Sequence, residues 1–339
     1  MENESEIVAK SGRGGHVVDG LEGTVGAKLL RRDAKSRVVV NFHGNAGHLA
    51  QGHRPSTYRS ISGIPHTHLL TCDYRGFGLS TLKNSPYIPT EPGLITDAIS
   101  LTSYILNTLG HPSTRTVLLG QSLGTAVTAA TALYFTDQSS SSLPLGVVPP
   151  NPHPKGVQNF ASIVLVAPFT NLPTLLQTYR IAGIIPVLSP LRLYPRIASF
   201  LSNRIVDQWP TQLRLNALVT ATSSTSPPTP LHITILHARN DADITYRHSE
   251  ALYTSLEAGL LGEEGVAASE ERRSIHGGER VRRGAFAYRK VEDAKGERTV
   301  ELEVVRFGGH NEVVGWAQVA LAVRRAWKTK SFRPGLDVE

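Results

Sequence analysis

The chain has 339 residues, 40% of them hydrophobic and 19% charged, with a formal net charge of +7. This length allows one large domain or two small ones with a sizeable core, and a single cysteine, Cys72, excludes both a disulfide framework and a cysteine-rich zinc site. The basic residues are scattered, and the densest group, "EERRSIHGGERVRRGAF", mixes them with acids, so no nucleic-acid partner is expected.

Residues 1–36 are weakly patterned, and their opening "MENESEIVAKSGRGG" lacks the apolar core of a signal peptide. No apolar run reaches the ~18 residues that span a bilayer. The expected location is therefore intracellular, cytoplasmic or peripheral to a membrane.

The first strong strand signal is "RVVVNF" (37–42), followed by "HLLTCD" (68–73), "TVLLG" (116–120), "ASIVLVA" (161–167), "LHITILHA" (231–238) and "VELEVVRF" (300–307). Such short, continuous β-branched runs suit strands buried on both faces. Between them, helical patterns fall at 90–110, 122–135, 247–259 and 312–327. The alternation predicts an α/β fold with a mostly parallel central sheet and helices on both faces.

Three segments break the rhythm. Residues 136–159 are Ser/Pro-rich and are expected as a loop insertion. Residues 262–284 are charged and Gly-rich and are expected as a second one. Residues 168–210 are apolar, interrupted by prolines and too long for a simple connection. They are expected as a lid over one end of the sheet.

The third strand runs into "VLLGQSLGTA" (117–126), where Ser122 stands between Gly120 and Gly124 and opens a helix of small residues. A Gly-x-Ser-x-Gly match alone is weak, but strand, serine and helix in this order form a nucleophile elbow. A serine hydroxyl needs a base, and the base needs an orienting acid. The order Ser, acid, His is met by Asp241 or Asp243 in "HARNDADITYRHS" and by His310 in "FGGHNE", each just after its own strand. For the oxyanion, the backbone N–H groups of Leu123 and of Asn45, in "NFHGNAGHLAQG", are the candidates. His43, His48, His53, His66 and His68 lack a neighbouring carboxylate cluster and are not read as a metal site, and no cofactor is expected.

Together "HGNAG", "DYRGFGLS", "GQSLGTA", "HARNDADI" and "FGGHNE" resemble the motifs of α/β-hydrolase-fold serine hydrolases. The branch most similar is that of the monoacylglycerol and lysophosphatidylserine lipases with related fungal hydrolases. The resemblance runs from about Val38 to Trp327 and implies a hydrolase domain over 37–330, with the lid and both loop insertions inside it. It also implies that Asp241 is the acid and Asp243 structural, with a cap of the helix near 247 as its expected role. Asp73 and Arg75 would be architectural. Two features usual or common in that family, an antiparallel hairpin before the first strand and an N-terminal membrane helix, have no counterpart in the pattern of residues 1–36.

The implied activity is cleavage of carboxylic esters of lipids, monoacylglycerol or lysophospholipid, through an acyl-enzyme on Ser122. The alternatives are a protein-acyl thioesterase using the same residues and an inactive hydrolase fold serving as a binding protein. The apolar lid suits an acyl chain. Its Arg180, Arg192, Arg196 and Arg204 would suit a phosphate headgroup or an anionic membrane, and stand equally well as solvated charges.

Overall fold

The computed structural model describes residues 21–22, 24–80, 88–148, 150, 156–181, 185–186, 194–202, 204–275, 281–283 and 286–327. Strands β1 (Arg37–Phe42), β2 (Thr67–Thr71), β3 (Thr116–Gln121), β4 (Ser162–Val166), β7 (Leu231–Ala238) and β10 (Arg298–Val305) correspond to the six expected runs. They pair in parallel. With β8 (Val281–Arg283) and β9 (Phe286–Glu292) they form one eight-stranded sheet in the order β2-β1-β3-β4-β7-β10-β9-β8. A separate two-stranded ribbon pairs β5 (Arg180–Ile181) with β6 (Ile185–Pro186).

Successive side chains of each strand enter opposite layers, as the pleat requires. Val38, Val40, Phe42, Leu118, Ile163 and Ile233 join one buried cluster. Val39, Val117, Leu119, Val164 and Leu236 join the other. The first cluster is completed by α1 (Val25–Arg32), α3 (Glu91–Ser103), α4 (Leu123–Thr136), α7 (Thr211–Ser223) and α8 (Arg247–Ile275). The second is completed by α2 (Arg54–Ser62) and α10 (Ala317–Ala326). Burial on both faces is why these strands read as unbroken apolar runs. In β10 the alternation carries charge: Leu302 lies in the first core, while Glu301 and Glu303 pair with Arg325 of α10 at 3.1 and 3.2 Å.

Several elements depart from the sequence reading. Helix α1 occupies part of the segment expected to be weakly patterned, with the Thr24 hydroxyl accepting from the Ala27 N–H at 3.2 Å. Helix α8 starts where expected but continues to Ile275 across a break at Gly262, where φ is +72°. The expected loop at 262–284 is therefore helical for most of its length, because "EEGVAASEERR" is rich in strong helix formers. Its residues Val281–Arg283 are β8, which with β9 forms an antiparallel edge of the sheet. The described part of 136–159 holds no helix or strand beyond Thr136, the last residue of α4. Within 168–210 lie α5 (Leu172–Thr178), the ribbon and α6 (Pro195–Ser202).

The turn from β3 into α4 packs closely against the end of β1. A Cβ on Gly124 would collide with the carbonyl of Phe42, and one on Gly120 with the Gly124 carbonyl and the Thr128 hydroxyl. Gly124→Ala should therefore destabilise the protein by about 1–3 kcal/mol or more through overpacking. Gly259→Ala on α8 would place its Cβ in ordinary contact, 3.4 Å from Val219, and should stabilise by about 0.5–1 kcal/mol by helix propensity. Urea unfolding of the two variants checks both signs.

Candidate active site

Ser122 is the residue between β3 and α4, and the turn forces it to φ +52°, ψ −120°. A non-glycine residue held there stores strain on the order of 1–3 kcal/mol. The surroundings enforce it: the Ser122 N–H donates to the Val166 carbonyl at 3.0 Å, while its own carbonyl accepts from the Thr125 N–H and hydroxyl at 2.9 and 2.6 Å. The side chain is left half-buried at the C-terminal edge of the parallel strands, where open α/β sheets bind ligands.

His310 reaches it from the loop after β10. Gly308 and Gly309, at φ +131° and +56°, bring the chain around into α9 (Gly309–Glu312). The Gly309 N–H donates to the Asn240 side chain at 3.0 Å, and the Gln121 amide donates to the His310 carbonyl at 3.2 Å. His310 Nε2 then lies 3.1 Å from Ser122 Oγ, and Nδ1 lies 2.8 Å from Asp241 Oδ2. With its proton on Nδ1, the ring presents a bare Nε2 to the hydroxyl.

The Asp241 carboxyl is fully buried. Its Oδ1 accepts from the N–H groups of Asp243 and Ile244 at 2.9 and 2.8 Å. Burial favours its neutral form most strongly, but hydrogen bonds from His237 and His310 and their charges outweigh burial and hold its pKa below the ordinary carboxylate value. For His310, burial is also the largest influence and disfavours the cation. Asp241 and then Asp243 overcome it, and the pKa is raised. Asp243 makes no side-chain hydrogen bond among the described residues, so the cap it was expected to supply to α8 is not seen.

The loop 43–48 lies against the serine: a Cβ on Gly44 would sit 3.3 Å from Ser122 Cβ. Among the described residues, the N–H groups of Asn45 and Leu123 have no acceptor, and both residues line the cavity that holds Ser122. The sequence did not reveal what holds this loop. It is Arg54, a buried guanidinium that donates to the carbonyls of His48, Gly44 and Ala46 at 2.8, 3.1 and 2.9 Å. An isolated arginine in a polar helix carries no sequence signal of such a role. Asp73, read as architectural, supports the same loop by accepting from the Leu49 N–H at 2.9 Å. Arg75 pairs with Asp97 at 2.6 Å.

The cavity has a volume of about 300 Å³. Leu172, Leu175 and Tyr179 from the start of the expected lid wall one side, and Asp207 and Trp209 from its end close another. Trp209, at φ +47°, is pinned through its N–H to Glu91 at 3.0 Å, and Glu91 is ion-paired with the buried Arg214 at 2.6 Å. Arg196 and Arg204 are exposed, whereas Arg192 and the side chain of Arg180 lie outside the described residues. No group of three metal-ligating side chains is found among the described residues.

The parallel sheet with its helical layers, the serine elbow at the central β3 and the acid and histidine loops after β7 and β10 define an α/β-hydrolase fold. No protein-family model matches the chain. In sequence it is similar to the protein ABHD12B of Homo sapiens, 29% identical over 216 residues, which cover 64% of this chain and 49% of that protein. It is also similar to the lysophosphatidylserine lipase ABHD12 of Danio rerio, 30% identical over 135 residues, or 40% of this chain and 28% of that one. The chain thus matches about half the length of the first relative and under a third of the second. Among solved structures, ferulic-acid-bound Est1E from Butyrivibrio proteoclasticus overlays 87% of this chain and 90% of its own, with a TM-score of 0.49 and 12% identity.

The site makes a pH prediction. Protonated His310 cannot accept the serine proton, so the rate of Ser122 modification by a fluorophosphonate should fall as pH drops through a midpoint above the ordinary imidazole value of about 6.5. Asp243→Asn removes one of the charges that raise that pKa, and the midpoint should move to lower pH. Asp241→Asn should cut the plateau rate by on the order of 10⁴. Labelling rates against pH for the three proteins check all of this.

Proposed function

We propose that the protein is a serine hydrolase that cleaves carboxylic esters of lipids, monoacylglycerol or lysophospholipid. The observation that carries this reading is the hydrogen-bonded series Ser122–His310–Asp241 opening into a largely apolar cavity. Ser122 Oγ attacks the ester carbonyl while His310 Nε2 takes its proton. The N–H groups of Asn45 and Leu123 receive the oxyanion. Collapse of the tetrahedral intermediate releases the alcohol, which His310 protonates. Water, deprotonated by the same nitrogen, then attacks the acyl-enzyme and frees the acid. Throughout, Asp241 keeps the imidazole in its tautomer and offsets the imidazolium charge.

In this reading residues 168–210 form the lid, inserted in a hydrolase domain that spans 37–330 with a segment 1–36 before it. The leucines at the near end of the lid hold the acyl chain. Its α6 turns Ile197, Phe200 and Leu201 to solvent beside the exposed Tyr194 and Val206. Residues 194–206 include Arg196 and Arg204 and no acid, and the Arg204 guanidinium rests over the Phe200 ring at 4.4 Å. A basic, apolar outer face of this kind supports peripheral contact with an anionic lipid surface. No helix among the described residues is long and apolar enough to cross a membrane.

Two experiments test the proposal. Purified protein should release fatty acid from monoacylglycerol or lysophospholipid, and Ser122→Ala should not. Release from an acyl-cysteine peptide with no release from either lipid would favour a thioesterase instead, and no release from any of the three would sink the enzyme reading. In vesicle flotation, Ser122→Ala should bind phosphatidylserine-containing bilayers, and Ile197→Ser/Phe200→Ser should weaken that binding while leaving turnover of a short soluble ester unchanged. Equal flotation of both proteins would remove α6 from membrane contact.

A further inference from the structure

A second histidine stands behind the acid. His237, in β7, has a completely buried side chain, and its Nε2 lies 2.9 Å from the Ile244 carbonyl and 3.2 Å from Asp241 Oδ2. Both neighbours are acceptors, so Nε2 carries a proton. Nδ1 lies 2.7 Å from the Ser249 hydroxyl in α8, which anchors the other side of the ring. Asp241 thus meets four N–H groups: two backbone N–H groups bond Oδ1, His310 bonds Oδ2, and the His237 Nε2–H, bonded to the Ile244 carbonyl, lies 3.2 Å from the same Oδ2. A buried carboxylate keeps its charge and orientation when its lone pairs are filled in this way.

The geometry points to His237 as a positioning residue for the proposed hydrolysis: anchored by Ser249 and Ile244, it holds Asp241 Oδ2 in line with His310 and takes a share of that oxygen's charge. The inference rests on the reading of Ser122 as nucleophile and Asp241 as acid. The shared oxygen has a directional consequence. A donor on Oδ2 weakens the pull of Asp241 on the His310 proton, so removing that donor strengthens the pull and makes His310 more basic. Loss of the anchor also lets the carboxylate turn out of line, which slows the attack.

The charged and titratable groups around the pair leave this direction intact. Asp243, in the same loop as the acid, adds negative charge near His310. Tyr179 of the expected lid stays neutral because burial raises its pKa. His248, next on α8, is held down at about 4 by burial and the nearby His237 and adds no charge near neutrality. His53, near His310, is also lowered by burial, with Arg54 and Glu312 as its charged neighbours.

The test compares His237→Leu, His237→Gln and Ser249→Ala by fluorophosphonate labelling across pH, with unfolding curves for each. His237→Leu should lower the plateau rate about tenfold or more, as loss of an orienting partner does, and move the midpoint to higher pH. His237→Gln, whose amide N–H can occupy the place of Nε2–H, should restore both. Ser249→Ala should move the midpoint in the same direction by less, and serves as the readout if the leucine variant does not fold. A folded His237→Leu with wild-type plateau and midpoint overturns the inference, as does a midpoint shifted downward. The same midpoint read from the His310 ring protons by NMR needs no reaction at Ser122. A wild type that fails to label therefore sinks the hydrolase reading, while the NMR shift still decides the role of His237.

Discussion

The contact on which the site depends is the meeting of the Gly124 backbone with the carbonyl of Phe42, too close for any Cβ between them. It brings α4 onto the end of β1, so the helix begins immediately above the sheet and Ser122 must bridge the gap in a left-handed conformation. The same closeness sets the loop after β1 beside the serine, because Gly44 follows Phe42 by two residues. The placement of Ser122, the free Leu123 N–H and the facing Asn45 N–H are thus consequences of one steric fit. A bulkier residue at 124 would displace all three together.

What the fit does not supply is Asp241 and His310, whose loops leave the sheet two and three strands away from β3. β7 and β10 are parallel to β3, and parallel strands end on one side of the sheet, so the loops carrying Asp241 and His310 converge on the elbow without long-range guidance from their own sequences. This is why the arrangement was legible: the three residues lie 119 and 69 positions apart (241 − 122 and 310 − 241), yet each follows its own apolar run. Strand order and direction turn that local pattern into proximity.

The parts that were not legible share a different physics. Arg54 reads as a solvated arginine in "RPSTYRSIS", but the carbonyls of the loop solvate it in place of water. Gln121 reads as the variable residue of the elbow motif, and only the fold shows that it holds the His310 backbone. Helix α2 escaped detection because its polar face outweighs its few buried residues, Thr57 and Ile61 among them. The antiparallel edge escaped because β9, "FAYRKVE", mixes apolar residues with three charges, unlike the buried runs beside it. Buried charge and half-exposed strands depend on partners that a local window does not contain.

Trp209 belongs to the cavity wall, yet its backbone is tied through Glu91 to Arg214, among the most deeply buried side chains of the protein. Removing one partner of such a pair costs about 3–5 kcal/mol, comparable with the stability of a whole domain. That wall is therefore part of the global cooperative unit and is lost only when the core is lost. Ile197, Phe200, Leu201 and Val206, exposed to solvent and outside that wall, have no comparable tie among the described residues. The cavity wall and this outer face thus answer to different free energies. The wall is a fixed template, whose dimensions are inherited from the core, while the outer face is free of that constraint.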